Sequence, residues 1–283
     1  TFCMTAESRL STFVATDGDN VMIQDWPLEP GVPLRGVVIV VHGLGEHAGR
    51  YEHVARQLND WGFAVRGYDQ CGHGESGGPR GSLPTDTRLL DDLADIIDST
   101  RLRMSKKTPL ILLGHSMGGL VVGRFVSLGI RVVEGLIMSS PALDAGMSAF
   151  QKVLVSLLPK IAPNLRVGNG VKPQFISHDP AVVAAYRADP MVHDRISARL
   201  ARFIADAGPQ TLALAAHWKV PTLLMYAGDD RLLNPQGSRN FAAAAPKGVV
   251  TSVCFDPLYH EIFNELDAAP VFAELRRWLN ARF

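Results

Sequence analysis

The stretch Leu110-Ile-Leu-Leu-Gly-His-Ser-Met-Gly-Gly-Leu120 decides the fold. Its first four residues, 110–113, form an apolar run that predicts a buried strand. Glycines then stand two positions either side of Ser116, and apolar residues at helical spacing continue over 119–128. A strand, a tight turn that carries a serine and a helix together predict a nucleophile elbow.

The glycines of this turn have a predicted steric role. Ser116 is expected in a strained backbone conformation, and side chains at Gly114 and Gly118 would collide with the neighbouring strand and helix. The amides that start the following helix would lie beside the hydroxyl, where they stabilise negative charge. The alternative is an ordinary serine in a glycine-rich turn, and the flanking strand and helix favour the nucleophile.

Composition and charge restrict the class of protein. The chain has 283 residues, enough for one large α/β domain or two small ones. Lys+Arg and Asp+Glu both number 28, so no basic field favours nucleic acid, and a neutral substrate is expected. Three scattered cysteines, Cys3, Cys71 and Cys254, fit a reducing compartment, so we expect a cytoplasmic enzyme. No apolar run approaches the roughly 18 residues of a transmembrane span.

Strands and helices alternate along most of the chain. A hairpin is predicted over 10–26, around the turn signal at 17–20. The alternation predicts an α/β fold with a mostly parallel sheet flanked by helices, and a site at the carboxyl ends of its strands. The other predicted strands share an apolar, often β-branched run: 35–41, 62–68, 110–113, 132–138, 220–226 and 249–255.

Residues 143–217 interrupt this alternation with helical patterns that prolines and glycines separate. We therefore predict a core domain formed by residues 1–142 and 218–283, and a helical cap (lid) insertion formed by 143–217. The cap is expected to lie over the rim of the sheet. Its predicted helices cover 147–161, 181–186 and 196–216.

The first cap helix is rich in Met, Leu and Ile, which suits an acyl-chain surface. Packing against the core alone is the alternative interpretation, and a cap can do both. The expected substrate-binding residues share this helix: Met147, Phe150, Leu154 and Leu158.

A serine hydroxyl is a poor nucleophile at neutral pH, so Ser116 needs a base, and the base needs an orienting acid. The chain order expected for this elbow is serine, acid, histidine. His260 follows the last predicted strand and can reach the elbow, whereas the other histidines after the serine fall inside the cap. Asp229 and Asp230 both follow strand 220–226, and composition does not choose between them. One would orient the base, and the other would cap a turn or pair with a neighbouring arginine.

Two backbone amides are expected to form an oxyanion hole. One is the N–H of Met117, directly after the nucleophile. The other is the N–H of Leu44, with Gly43 as the alternative, in the glycine-rich loop after the first central strand.

No sequence pattern indicates a metal or a cofactor. The chain lacks H-x-x-H, H-E-x-x-H, a Cys/His cluster, a dinucleotide-binding glycine motif and a Walker sequence. We therefore expect neither. Three histidines that precede or flank the serine are expected to order loops through hydrogen bonds to backbone: His42, His73 and His115.

Several motifs together resemble the monoacylglycerol lipase and lysophospholipase-like group of α/β-hydrolases. The similarity runs from about residue 10 to the end, and the segment Tyr186-Arg-Ala-Asp-Pro190 in the cap shares it. The motifs are His42-Gly-Leu-Gly-Glu-His-Ala-Gly-Arg-Tyr51, Gly72-His-Gly-Glu-Ser76, Leu113-Gly-His-Ser-Met-Gly-Gly119, Ser139-Ser-Pro-Ala-Leu143, Gly228-Asp-Asp-Arg-Leu232 and Tyr259-His260.

The resemblance implies that the acid is Asp230, the aspartate directly before Arg-Leu. It also supports Ser116, His260 and the amides of Leu44 and Met117. It implies an eight-stranded sheet with one antiparallel strand, and a cap that lines an acyl-binding tunnel. The expected activity is cofactor-independent hydrolysis of carboxylic esters of neutral lipids through an acyl-enzyme, as in monoacylglycerol lipases.

Two other functions remain open from the sequence. One is a short- or medium-chain carboxylesterase, thioesterase or acyltransferase with the same triad. The other is a non-catalytic binding module on a hydrolase fold. The expected partners are a small ester or lipid and, transiently through the cap, a membrane surface, whereas the sequence leaves the oligomeric state open.

Overall fold

A computed structural model describes residues 6–283, so Cys3 lies outside the described residues. Within this range eight strands form one sheet and two short strands form a second. The strands of the large sheet are β1 (Arg9–Val14), β2 (Asn20–Trp26), β3 (Gly36–Val41), β4 (Phe63–Tyr68), β5 (Leu110–His115), β6 (Gly135–Ser139), β9 (Thr222–Ala227) and β10 (Val250–Phe255). The small sheet pairs β7 (Arg166–Gly168) with β8 (Arg195–Ser197).

Helices cover both faces of the large sheet and the region between β6 and β9. None of the described helices combines the length and apolar composition needed to cross a bilayer. The helices are α1 (Glu52–Asp60), α2 (Arg88–Arg101), α3 (Met117–Ser127), α4 (Ala149–Ile161), α5 (Pro180–Ala188), α6 (Ala198–Ala213), α7 (Gln236–Ala244) and α8 (Ala269–Arg282).

The strand order of the large sheet is β1-β2-β4-β3-β5-β6-β9-β10. β2 pairs antiparallel with both of its neighbours, and every other pairing in the sheet is parallel. β2 therefore runs opposite to the other seven strands. The predicted hairpin and the mostly parallel eight-stranded sheet with one antiparallel strand are confirmed.

Side chains of the central strands alternate between two apolar cores. In β3, Ile39 and Val41 pack on the face covered by α2 and α3, whereas Val38 and Val40 pack on the face covered by α1 and α8. Burial on both faces explains why the strand is a continuous β-branched run and not an alternating one.

The turn between β5 and α3 has the close backbone packing that its glycines predict. Ser116 has φ 57° and ψ −118°, in the left-handed region that costs a non-glycine residue about 1–3 kcal/mol. A Cβ on Gly114 would lie 2.2 Å from the carbonyl oxygen of Gly118. A Cβ on Gly118 would lie 2.0 Å from the carbonyl oxygen of Val41 in β3. Only glycine fits at either position.

Residues 143–217 leave the sheet after β6 and return to it at β9, and these two strands are neighbours. The sequence analysis did not predict the β7–β8 pair in this region, and it placed the start of a helix at 196. Each of these strands has three residues, too few to show an alternating pattern. The hydroxyl of Ser197 accepts a hydrogen bond from Leu200 N–H, so this serine ends β8 and caps α6. The division into core and cap at these exact residues stays a prediction.

Candidate active site

Three side chains from three loops form one hydrogen-bonded chain at the carboxyl ends of the strands. Ser116 stands between β5 and α3, Asp230 follows β9, and His260 follows β10. The Nε2 atom of His260 lies 2.8 Å from Ser116 Oγ, and its Nδ1 atom lies 2.7 Å from Asp230 Oδ2. This is the geometry of nucleophile, base and orienting acid.

The second oxygen of Asp230 is also satisfied. Its Oδ1 atom accepts hydrogen bonds from the backbone N–H groups of Leu232 and Leu233, each at 2.9 Å. Burial alone would raise the pKa of Asp230, but His260 and these two amides hold that pKa below its usual value. The carboxylate is therefore ionised at neutral pH and its orientation is fixed.

Asp229 points away from the base, although it is next to Asp230 in the chain. Its carboxylate pairs with Arg231, with Nε 3.2 Å from Oδ1, at the exposed surface. The structure thus brings Asp230 to His260. Asp229 forms the pair with a neighbouring arginine that the sequence analysis expected for whichever aspartate does not orient the base. An exposed pair of this kind contributes little stability.

His260 is buried, and its electrostatic surroundings favour its protonated form. Burial would lower the pKa of the imidazole, but the Asp230 carboxylate raises it above its ordinary value. Because Nδ1–H donates to Asp230, Nε2 is left to accept the proton of Ser116. The imidazolium formed in that step would be stabilised by the same carboxylate.

The two expected oxyanion amides belong to segments that meet at Ser116. Met117 is the first residue of α3, so its N–H has no acceptor within the helix. The loop after β3 approaches closely, since a Cβ on Gly43 would lie 3.2 Å from Ser116 Cβ. Leu44, Met117 and Ser116 line the same cavity. The oxyanion role of the Leu44 and Met117 amides stays a prediction.

A cavity of about 540 Å³ opens above Ser116 and His260, between the sheet and the cap. Its walls are mostly apolar and come from both parts of the chain. Met147, Leu154 and Leu158 line it, as expected for substrate-binding residues. Other apolar lining residues from the cap are Val155, Leu165, Val167, Val171, Ile176, Ile196 and Ile204.

Phe150 does not line this cavity, and its expected place in the pocket is wrong. Its side chain is 70% exposed. At 3.6 residues per turn the apolar side chains of α4 form one broad face: Leu154 and Leu158 lie on its cavity side, whereas Phe150 lies on its outer side with Leu157 and Ile161. Apolar spacing located the helix but did not show which side of this broad face meets the cavity.

One end of the cavity is polar, and the sequence-based reasoning did not identify it. The Arg50 guanidinium forms a bidentate pair with Glu261, with N–O distances of 2.9 and 2.7 Å, and lies 3.3 Å from Glu46. It also lies 5.0 Å from the ring centre of Tyr186 in the cap. Glu46, Glu261 and Tyr186 line the cavity. The spacing of Glu46 and Arg50, four positions apart, was the available signal, but nothing in the sequence pairs them with Glu261.

Charge at this end is unbalanced, because two buried carboxylates share one guanidinium. Burial raises the pKa of Glu46 to about 7, and the neighbouring Glu261 acts in the same direction. For Glu261, burial would raise the pKa, but the bidentate Arg50 keeps it below its usual value. Glu46 therefore takes up a proton near neutral pH while Glu261 stays ionised.

Among the residues described, one buried group has converging metal-binding atoms: Glu46, His115 and Glu261, within 4.8 Å of one another. Arg50 already pairs with both carboxylates, and a divalent cation would have to displace it. Burial lowers the pKa of His115 to about 3, so its ring is neutral. We assign the two carboxylates to the ion-pair cluster.

Two of the three loop histidines bond to backbone as expected. His42 Nδ1–H donates to Gly43 O at 2.7 Å, while its Nε2 accepts from Gln70 N–H at 2.9 Å. His73 Nδ1–H donates to Cys71 O at 3.0 Å. His115 differs, because its Nδ1 bonds to a side chain, the Ser139 hydroxyl, at 2.9 Å.

Comparisons with known proteins agree with this fold. The profile of the family Hydrolase_4 (serine aminopeptidase, S33) matches residues 32–267. The chain is 34% identical over 271 residues to a monoacylglycerol lipase of Mycolicibacterium smegmatis, covering 95% of each. It is 31% identical to phospholipase YtpA of Bacillus subtilis over 255 residues, covering 85% of this chain and 93% of that protein. The crystal structure of the Paleococcus ferrophilus monoacylglycerol lipase matches with a TM-score of 0.83 and 33% identity, covering 93% of this chain and 99% of that one. The resemblance carried by the motifs and the α/β-hydrolase fold are confirmed.

The different surroundings of the two adjacent aspartates predict different mutant phenotypes. Asp230→Asn should lower kcat/KM about 10³–10⁴-fold, because the amide no longer stabilises the imidazolium. Asp229→Asn, the matched control, should stay within about 3-fold, since its carboxylate is exposed. Asp230 raises the pKa of His260, so the acid limb of the remaining Asp230→Asn activity should move to lower pH. Ester hydrolysis measured from pH 4 to 9 checks both effects, and equal losses in the two variants would contradict the assignment.

Proposed function

The chain belongs to the Hydrolase_4 family (serine aminopeptidase, S33), and from that premise we propose that it hydrolyses the ester bond of monoacylglycerols. The observation that carries the proposal is the Ser116–His260–Asp230 chain at the floor of a cavity with apolar walls and one polar end. The monoacylglycerol lipase relatives support it.

The proposed reaction begins when Ser116 Oγ attacks the ester carbonyl carbon and passes its proton to His260 Nε2. The new C–O bond makes a tetrahedral oxyanion, which the N–H groups of Leu44 and Met117 stabilise. Asp230 stabilises the imidazolium. His260 then gives the proton to the departing glycerol oxygen, which leaves an acyl-enzyme. Water, deprotonated by His260, attacks that ester, and the acid is released as Ser116 regains its proton.

Chemistry at the two ends of the cavity supports a neutral lipid as substrate. The apolar wall from the cap suits an acyl chain. The polar end offers Glu46, Glu261 and Tyr186 to hydroxyl groups such as those of glycerol. A phospholipase would need a cation for the phosphate of its substrate, but Arg50 at this end already pairs with Glu46 and Glu261. A monoacylglycerol therefore fits better than a lysophospholipid.

The outer face of α4 supports transient contact of the cap with a lipid surface. Its exposed apolar side chains include Phe150 and Ile161, which are 70% and 82% exposed. Leu157 and Val153 extend the same face. A helix whose broad apolar face meets a cavity on one side and the surface on the other is suited to collect substrate from a lipid aggregate.

The cysteines support the expectation of a cytoplasmic location. Cys71 is buried and Cys254 is half-buried, and both are free thiols. Burial raises the pKa of Cys71 to about 11, so this thiol stays protonated and behaves as a small apolar side chain. Free thiols of this kind fit a reducing compartment.

Replacement of the nucleophile tests the proposed reaction. Ser116→Ala should lower kcat for monoacylglycerol hydrolysis about 10⁶-fold, while the thermal transition stays near that of wild type. Wild type should also form a single fluorophosphonate adduct at Ser116, detected by mass spectrometry. Turnover of aminoacyl p-nitroanilides in preference to monoacylglycerols would instead support a peptidase, and near-wild-type hydrolysis by Ser116→Ala would reject the mechanism.

Two neighbouring leucines of α4 test the acyl-binding wall. Leu158 lines the cavity, whereas Leu157 is 52% exposed on the outer face. Leu158→Trp should lower kcat/KM for long-chain monoacylglycerols about 10-fold or more relative to short-chain ones, because it fills the acyl site. Leu157→Trp serves as the control and should leave the chain-length profile unchanged. If both variants keep that profile, this wall does not bind the acyl chain.

The outer face of α4 can be tested with lipid vesicles. The double variant Phe150→Ser and Ile161→Ser should bind phosphatidylcholine vesicles containing monoacylglycerol about 10-fold or more weakly, because it removes two large apolar side chains. Its turnover of a monomeric p-nitrophenyl ester should be unchanged. Leu102→Ser, at an 89% exposed position outside the cap, is the control. Equal vesicle binding by wild type, the double variant and Leu102→Ser would rule out this face as the contact.

A further inference from the structure

A short cap segment, residues 175–178, packs directly against the loop that carries His260. The ring of Tyr259 stacks on His178, with centroids 3.6 Å apart and planes 15° apart. It also meets Phe175 edge to face, at 6.0 Å. On the other side of His260, the backbone N–H of Glu261 donates to Ile176 O at 2.9 Å. The cap therefore contacts both chain neighbours of the catalytic base.

The carboxylate of Glu265 forms hydrogen bonds with both the cap segment and the loop of His260. The side chain of Glu265 is 1% exposed and accepts four hydrogen bonds. Its Oε1 atom accepts from Ser177 Oγ at 2.9 Å and from His178 N–H at 2.5 Å. Its Oε2 atom accepts from Tyr259 N–H at 2.9 Å and from His178 Nδ1–H at 2.5 Å. Burial would raise the pKa of Glu265, but these donors hold the pKa below its usual value.

The same cluster extends to the neighbour of the acid. The Arg231 guanidinium carbon lies 5.2 Å from the ring centre of Tyr259 and 5.5 Å from that of Phe175. Arg231 follows Asp230 directly, so the residues next to the acid and next to the base share one set of cap contacts. A displacement of this cluster would change the position of Asp230 relative to His260.

We propose that Glu265 is a positioning residue for His260, which it holds through the Tyr259 N–H and the cap segment 175–178. The proposal rests on the proposed hydrolase function of the triad. His260 Nε2 must stay within hydrogen-bond reach of Ser116 Oγ, and a misplacement of about 1 Å costs about 100-fold in rate. The loop from 256 to 261 belongs to no helix or strand, so its hydrogen bonds fix its position.

The variant Glu265→Gln tests this role because it keeps the side chain's size and removes its charge. Each carboxylate oxygen faces a backbone N–H, that of His178 or that of Tyr259. Either orientation of the amide therefore sets its NH₂ group against a backbone N–H. We expect kcat to fall about 10- to 100-fold. The acid limb of kcat/KM should move to lower pH, because a displaced His260 loses part of its stabilisation by Asp230.

Ser177→Ala is the matched control, since it removes a hydroxyl that contacts Glu265, Asn264 O and the Asp179 N–H, and leaves the bond between Glu265 and Tyr259 intact. It should stay within about 3-fold of wild type in kcat and keep the acid limb. Glu265→Asp, one methylene shorter, is the second variant if Glu265→Gln does not fold. Its carboxylate should not reach both segments, and a smaller loss with the same pH shift is expected.

The downfield proton resonance of His260 Nδ1–H, assigned by its loss in Asp230→Asn, gives a readout that needs no turnover. It should shift or broaden in Glu265→Gln and stay unchanged in Ser177→Ala. The proposal is overturned if Glu265→Gln keeps the wild-type kcat, the wild-type acid limb of kcat/KM and the wild-type resonance. If Glu265→Gln and Ser177→Ala lose activity equally and only through KM, Glu265 holds the cap in place but does not position His260. A wild-type protein that shows the resonance but hydrolyses no ester would contradict the proposed function alone.

Discussion

The approach of α3 to β3 at the elbow is the constraint on which the site depends. A Cβ on Gly118 would overlap the Val41 carbonyl oxygen at 2.0 Å, so the backbone of α3 begins directly against the strand. This contact forces Ser116 into φ 57° and sets its hydroxyl above the sheet. It also brings the loop after β3 next to the nucleophile, where Gly43 and Leu44 lie. One backbone contact thus places the nucleophile and both predicted oxyanion amides.

Electrostatics of the buried groups explain how the rest of the site is held. Asp230 and His260 stabilise each other's charge, since the carboxylate raises the pKa of the imidazole while the imidazole lowers that of the carboxylate. At the polar end of the cavity, Arg50 neutralises only one of two carboxylates. Glu46, with a pKa of about 7, then takes a proton near neutral pH. A polar end with almost no net charge at that pH is consistent with a neutral head group.

The sequence predicted what depends on local patterns and chain order. Long β-branched runs identified the central strands, and the order serine, acid, histidine limited the search for partners of Ser116. Spacing could not separate Asp229 from Asp230, because a turn directs adjacent side chains in different directions. The family motif resolved that choice, and the structure brings Asp230 to His260.

Other features depend on packing that no local pattern records. Periodicity placed Phe150 on a helix but did not say which side of the broad apolar face of α4 meets the cavity. Strands of three residues in the cap gave no alternating signal. Glu265 meets Ser177 and His178 across 88 and 87 positions of chain, so its role is visible only in three dimensions.

The cap therefore has two physically different parts. Helix α4 has no buried residue, and its broad apolar face meets the cavity on one side and the surface on the other. Residues 175–178 instead bond to the loop that carries His260, with Ser177 and Ile176 buried. A change in α4 is expected to alter the proposed acyl-binding wall without moving His260, because the ring contacts with Tyr259 and the acceptor for the Glu261 N–H come from the second part. Substrate choice and triad geometry are thus separable in this insertion, although both are built from the same stretch of chain.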